Sequence, residues 1–504
     1  MKRFFITTAI DYVNGKPHLG HAYEKILADV LARFQRNQGR DVLFLTGVDE
    51  HGQKVQQSAR AANKAPQAFC DEMTAHFIAL WKRLDIRYDR FARTTLEAHQ
   101  SYVRGCLQRL YDEGKIVFKD HVGFYSVRQE QFVTEKDRNA DGSWPEIYGE
   151  VVEMREPNYF FVMEPYRERI RERIVREENW IEPTFRRKEL LTLLEEPLEP
   201  LCISRPKSRV EWGIPLPFDE QYVTYVWFDA LLNYISFAFN ADGTSRWPAD
   251  IQLIGKDILI PAHGIYWPAM LIALGLEWPR RLLVHGWWMN RGAKMSKSIG
   301  NVVDPVPYIE HWGADAFRYF VMREMVTGQD ADFSDERFAD RYSFDLANDW
   351  GNLVQRTLSM VHRYRGGCVP QSAEEMELVD DECCEIYLRC MENGQVHAAL
   401  EAVWSRIQRA NRYVEERAPW RLAKEQRLEE LDRVLVTLCE AIRRIGLLLE
   451  PVMPTTSRKV MGFLGEPEDF SFGRIRQTEV LKGRVISPAE PLFPRKEDGV
   501  RMEK

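Results

Sequence analysis

Within its first fifty residues the chain changes hydrophobic period twice, and that alternation restricts the fold more than any other feature. Arg3–Thr8 is a short apolar, β-branched run, which suits a buried strand. Asn14-Gly15 and Pro17 then supply turn chemistry. From Gly20 onward Ile26, Leu27, Val30, Leu31 and Phe34 fall at helical spacing until Gly39 stops the run, and residues 41–46 read as a second buried strand. Strand, helix and strand in that order predict an α/β fold with a doubly wound parallel sheet.

The alternation lapses between about residues 116 and 221. Short aromatic runs at 117–127 and 158–163, and many prolines from Pro197 to Pro217, predict an inserted domain. The α/β texture then returns with an apolar run at 222–230, a strand at 251–254, a helix at 263–274 and a strand at 281–285. The predicted Rossmann-like fold is therefore split in two. From Ser343 the spacing becomes helical: Leu346, Leu353, Val354, Leu358 and Val361, then Ala399, Leu400, Val403, Ile407 and Ala410, then residues 434–449. This predicts an all-α helical bundle.

Composition narrows the class of function. A net charge of -7 excludes a globally basic nucleic-acid binder, but permits a local positive patch. The eight cysteines include no C-x-x-C pair, which fits reduced thiols in a reducing compartment. The N-terminal apolar run is too short for a signal peptide, and no stretch is apolar enough to span a bilayer. A cytoplasmic protein is the expectation.

Two motifs carry chemistry. His18-Leu19-Gly20-His21 stands where the first helix begins. Helix N-termini offer N–H groups and a positive dipole end to phosphate, and Gly20 leaves room for a flat base against the backbone. Alone, H-x-G-H is equally an ordinary helix start with two incidental histidines. Lys294-Met295-Ser296-Lys297-Ser298 forms a glycine-flanked loop after the last strand. Its two lysines suit a triphosphate and the charge that develops as pyrophosphate leaves, although two lysines on a loop are more often just solvated. The two motifs together, in this order, are specific.

With them the chain resembles the class I aminoacyl-tRNA synthetases and, within these, the methionyl-tRNA synthetases, over nearly its whole length. The resemblance rests on the run from Thr8 to Gly15, on Gly47-Val48-Asp49-Glu50-His51-Gly52, on Trp212-Gly213-Ile214-Pro215 and on Tyr225-Val226-Trp227-Phe228-Asp229-Ala230. Gly255-Lys256-Asp257-Ile258, His263-Gly264-Ile265-Tyr266-Trp267-Pro268 and Ala418-Pro419-Trp420 complete it.

The resemblance implies a methionine–tRNA ligase. Such an enzyme forms methionyl-adenylate from L-methionine and ATP with release of pyrophosphate, then passes the methionyl group to the terminal ribose of methionine tRNA. No protein nucleophile is needed, because methionine's carboxylate attacks the α-phosphorus. His18, His21, Lys294 and Lys297 would be catalytic. His18, Gly20, His21, Gly255, Asp257, Met295 and Lys297 would bind ATP, with magnesium carried on the triphosphate. Ile10, Tyr12, Asp49, Trp227, Ala230, Tyr234, His263 and Trp267 would bind methionine, with Asp49 on its ammonium and aromatic walls suited to a polarizable thioether. Asn352, Arg356 and Trp420 would read the anticodon by stacking and edge hydrogen bonds, although Trp420 after Pro419 also fits a packed helix cap.

The implied division is a catalytic first half at 1–115, an insert at 116–221, a catalytic second half at 222–290, a K-M-S-K-S loop and stem-contact region at 291–342, the bundle at 343–480 and a tail at 481–504. The chain departs from the pattern in two places. Where many members carry zinc-binding cysteine knuckles, it has Ser126-Val127-Arg128-Gln129 and Trp144-Pro145-Glu146-Ile147-Tyr148-Gly149, so no structural zinc is expected. One extra residue stands in Ile260-Pro261-Ala262, just before His263. The absence of an appended C-terminal domain leads us to expect a monomer. Other synthetases of the class fit less well: the insert is short for an editing domain, and the ligands of a zinc-thiol pocket are missing. A small H-x-G-H nucleotidyltransferase would lack the bundle.

Overall fold

A computed structural model describes residues 2–126, 128, 131–133, 135–139, 141–295, 300–378 and 381–496. The central sheet has seven strands, all paired in parallel. Arg3–Thr8 pairs with Asp41–Asp49 on one side and with Ile251–Gly255 on the other. Leu282–His285 follows Ile251–Gly255, and Arg90–Arg93 lies on the far side of Asp41–Asp49. The second strand runs on past the expected residue 46 and ends at Asp49. Asp11–Tyr12 pairs with Val48 and Asp49 along the edge that Arg3–Thr8 uses, so the first strand breaks at Ala9-Ile10 and then resumes. That break lies where the first strand has a neighbour from each half-fold, the crevice in which sheets of this kind bind ligands.

The first helix, Leu19–Asn37, is buried at every residue from Ala22 to Gln35, charged residues included. Its buried charges are paired within the protein. Arg318 and Arg33 both donate to Asp29 at 2.7 Å, and Arg33 reaches Glu450 of the bundle at 3.0 Å. Burial works to raise the Asp29 pKa, but the two guanidiniums outweigh it and hold the carboxyl below its usual range.

The stretch expected as an insert carries a four-stranded antiparallel sheet built on Ile116–Ser126 and Val151–Phe161. Each strand has 11 residues, and the second is longer than the aromatic run at 158–163 suggested, because the polar half of Val151–Phe161 pairs as well. A short piece, Ile181–Glu182, returns to the edge of the central sheet beside Leu282 and Leu283. At the altered knuckle Ser126 donates to the Tyr148 carbonyl at 2.6 Å, and Arg128 donates to that of Glu146 at 2.8 Å. Trp144 packs on Phe124 with ring centroids 5.3 Å apart, under the Arg138 guanidinium at 4.0 Å. Tyr148 meets Trp144 edge-on at 6.4 Å. Val127 and Gln129 lie outside the described residues. Among the described residues no group of three potential ligands converges on a metal position.

The C-terminal part is helical, as its periodicity predicts. Asn352–Arg365, Val396–Arg417 and Leu428–Leu449 pack with Asp381–Glu392 and Pro454–Phe463 around a core that includes Leu358, Val403, Ile407, Leu438 and Ile442. No helix of the described residues is long and apolar enough to cross a membrane.

Candidate active site

The two histidines of H-x-G-H cap the helix they precede. Nδ1 of His18 accepts the Gly20 backbone N–H at 3.0 Å, and Nδ1 of His21 accepts that of His18 at 3.1 Å. A neutral ring that accepts at Nδ1 carries its proton on Nε2, so each ring is set as an Nε2–H donor. The rings are 3.9 Å apart. A Cβ on Gly20 would stand 3.0 Å from the His18 ring, so glycine lets this reciprocal cap close.

Next to the cap opens a cavity of about 320 Å³. His18, Gly20 and His21 form one wall, and Gly255, Asp257 and Ile258, from the end of Ile251–Gly255, form another. Lys294 and Met295 close it on the side of the K-M-S-K-S loop. Lys294 Nζ stands 3.7 Å from Asp257 Oδ2 and 3.6 Å from the Trp287 ring centroid. Lys256 stacks on the same indole at 4.0 Å while pairing with Asp330 at 2.6 Å. The cavity thus brings together residues more than 270 positions apart in the sequence, on a helix N-terminus with two lysines nearby. Ser296, Lys297 and Ser298 lie outside the described residues.

Sequence reasoning missed the floor of this cavity. Asp11, Glu24 and His285 line it, and behind them is Lys25, wholly buried. Lys25 Nζ donates to Ala9 O at 2.9 Å, to Asp11 Oδ1 at 2.8 Å and to Glu24 Oε1 at 2.7 Å. Glu24 Oε2 lies 3.0 Å from His285 Nε2, and His285 Nδ1 lies 2.7 Å from Gly286 O. Burial pushes Asp11 up to about 7 even against the lysine, whereas for Glu24 the opposing pull of Lys25 and His285 wins and its pKa falls. Periodicity could not find this group, because a helix buried on every side shows no polar face. The adjacent Glu24-Lys25 pair among apolar positions was the one available signal.

Of the residues expected for methionine, Ile10 and Tyr12 line the cavity, and Asp49 pairs across from Tyr12 at the strand end. Trp227, His263, Tyr234 and Trp267 form a chain of ring contacts, with Ala230 buried on the same helix as Trp227, and none of the five lines this cavity. His263 is the hub of these contacts. Its Nε2 is 2.8 Å from the Tyr234 hydroxyl and its Nδ1 is 2.9 Å from Ile258 O, while the Trp227 ring stands perpendicular to it at 6.3 Å. Burial pushes the His263 pKa down to about 4, so the ring is neutral: Nδ1–H donates to the carbonyl and Nε2 accepts from tyrosine. The segment around it, Leu259–Tyr266, is a wide π-type helical stretch in which Ile260 leaves helical geometry. Trp267 is fully buried behind Tyr234, its Nε1–H on Gln252 Oε1 at 3.0 Å.

In the bundle Asn352 and Arg356 lie one turn apart on Asn352–Arg365, and the Arg356 guanidinium is 5.9 Å from the Trp420 ring centroid. Trp420 is 43% exposed, not packed as a helix cap.

A parallel sheet split by an insertion, with H-x-G-H capping its first helix and Lys294 and Met295 facing it across one cavity, defines the catalytic fold of a class I aminoacyl-tRNA synthetase. The family model for class I (M) tRNA synthetases matches residues 4–151 and 143–358. The methionine–tRNA ligase of Deinococcus radiodurans is 42% identical over 98% of this chain and 75% of its own. That of Bacillus subtilis is 39% identical over 98% of this chain and 78% of its own. The Mycobacterium tuberculosis methionyl-tRNA synthetase in complex with methionyl-adenylate superposes with a TM-score of 0.93, at 39% identity, over 98% of this chain and all 100% of that one. The chain belongs to the methionyl-tRNA synthetases.

Proposed function

We propose that this chain is a methionine–tRNA ligase whose cavity makes methionyl-adenylate from L-methionine and ATP, releases pyrophosphate, and then passes the methionyl group to the 3′-terminal ribose of methionine tRNA. The observation that supports this best is the meeting of His18, Gly20 and His21 with Gly255, Asp257, Lys294 and Met295 around one cavity.

In this reading the helix N-terminus and the Nε2–H groups of His18 and His21 hold phosphate oxygens, and Gly255 and Asp257 take the ribose side. Lys294 and Lys297 stabilise the charge on departing pyrophosphate, and magnesium arrives on the triphosphate. Methionine lies toward Ile10 and Tyr12 with its ammonium on Asp49, and its side chain enters the cluster of Trp227, Ala230, Tyr234, His263 and Trp267. Catalysis is then positioning and charge stabilisation, with the substrate carboxylate as nucleophile. Asn352, Arg356 and Trp420 form the anticodon contact, where an exposed indole offers a face for a base. We read it as a cytoplasmic monomer without structural zinc, since the altered knuckle lacks the thiolates that zinc requires. Amino-acid-dependent exchange of pyrophosphate into ATP tests the reading: methionine alone should support it, and exchange with leucine, valine or cysteine instead would overturn it.

A further inference from the structure

The Lys25 ammonium does not line this cavity, and it is completely buried in the first helix, directly behind the site. A buried ammonium persists only where its charge and all three N–H groups are answered. Here Ala9 O, Asp11 Oδ1 and Glu24 Oε1 take one each. The partners come from the break in the first strand and from the helix itself, and Glu24 extends the chain to His285 at the end of Leu282–His285. Two of those partners, Asp11 and Glu24, also line the cavity.

We infer that Lys25 is a positioning residue for the nucleotide: it holds Glu24, and through it His285, in the geometry that faces ATP. This rests on the reading of the cavity as the ATP site. The Glu24 carboxylate is held at both ends, by Lys25 on Oε1 and by His285 on Oε2, so its plane is fixed and the second lone pair of each oxygen remains for ligand donors such as ribose hydroxyls. Without Lys25 one end is released, and two buried carboxylates, Asp11 and Glu24, are left with no cation between them. The methionine side shares two of the Lys25 bonds, at Ala9 and Asp11, but has further support of its own. Ala9 N–H is bonded to Leu253 O at 3.2 Å and Val13 N–H to Asp49 O at 3.2 Å, and Tyr12 pairs with Asp49, so Ile10 and Tyr12 are held by backbone.

The test measures both substrates in pyrophosphate exchange, together with the thermal midpoint, for the wild type, for Lys25→Met and for the double variant Asp11→Asn/Lys25→Met. The single variant should raise KM for ATP about tenfold or more, the scale of a lost charged hydrogen bond, while KM for methionine stays within about twofold. It should also melt earlier. The double variant replaces the carboxyl that has lost its cation by a neutral amide, and should recover most of the midpoint but keep the high KM for ATP. A purely structural lysine predicts the opposite: both KM values move with the midpoint and return with it. That result, or an ATP KM within about twofold of wild type in either folded variant, overturns the proposal. A wild-type enzyme that gives no methionine-dependent exchange would refute the ligase reading instead.

Discussion

The Asp229 carboxylate stands 2.6 Å from His51 Nδ1, across a chain separation of 178 residues. Its other oxygen meets His99 Nε2 at 2.7 Å, and His99 Nδ1 continues to the Ser236 hydroxyl at 2.7 Å. The group ties the segment carrying Asp49 to the helix carrying Trp227 and Ala230, so the two half-folds are bound together beside the proposed methionine pocket. Burial works to raise the Asp229 pKa, but the two histidines outweigh it and hold it down. A carboxylate depressed in this way adds stability that is complete above its unfolded value near pH 3.9 and is lost as the pH falls below it. Asp229→Ala should cost about 3–5 kcal/mol, as expected when one partner of a buried pair is removed. Asp229→Asn should flatten the acid limb of the stability curve below about pH 4. Denaturant titration across pH reads both, and an unchanged acid limb would remove Asp229 from this role.

His263 titrates in a different window. Its folded pKa of about 4 lies below the ordinary imidazole value, so between about pH 6.5 and 4 the unfolded chain binds a proton that the folded chain refuses. Stability should therefore fall as the pH drops through that window, by up to about 3 kcal/mol, and level off below it. His263→Gln should show a correspondingly shallower slope. A wild-type curve flat from pH 6.5 to 4 would mean that the ring is solvated.

Lys297 is placed in the chemistry by its motif alone. Lys297→Ala should lower kcat and kcat/KM of adenylate formation together while methionine affinity, read by equilibrium binding, stays near wild type. A change confined to the KM for methionine would refute the role.

Trp420→Ala should leave tRNA-independent exchange nearly intact. Loss of a base–aromatic stack, on the order of 1–3 kcal/mol, should reduce aminoacylation at low tRNA concentration roughly tenfold to hundredfold at about 1.4 kcal/mol per decade. The indole is 43% exposed, so the melting midpoint should barely move. A folded variant that charges tRNA normally would take Trp420 out of the anticodon site.

The altered knuckle predicts a protein without zinc. Elemental analysis should find no stoichiometric metal, and a chelator should not shift the melting curve. One tightly bound zinc per chain would contradict this.

Local chemistry explains which parts were legible. Strand, turn and helix signals at Arg3–Thr8, Asn14-Gly15 and Ile26 to Phe34 depend on neighbouring residues, so they survive in a sequence read one window at a time. H-x-G-H and K-M-S announce the site for the same reason. What stayed hidden depends on encounters between distant segments. Nothing near Glu24 reveals that His285 will meet it, nothing near Asp29 predicts Arg318, and the resumption of the first strand at Asp11 needs Val48 beside it. The polar register of Val151–Phe161 is set by its partner strand rather than by its own residues.

The ion network under the first helix bears on anyone seeking a smaller activating fragment. Glu450 lies at the end of Leu428–Leu449, yet it accepts from Arg33 at 3.0 Å and from Asn37 at 2.8 Å, while Arg318 reaches the carbonyls of Pro451 and Val452 at 2.8 Å each. A cut placed just before the bundle, after residue 342, would strip those acceptors away and leave Arg33 and Arg318 to share Asp29, with Asp85 and the Leu84 carbonyl as their remaining partners. Shortening this protein is therefore a problem of replacing lost counter-charges, and the cheapest solution keeps the last turn of that distant helix as a ligand for the first.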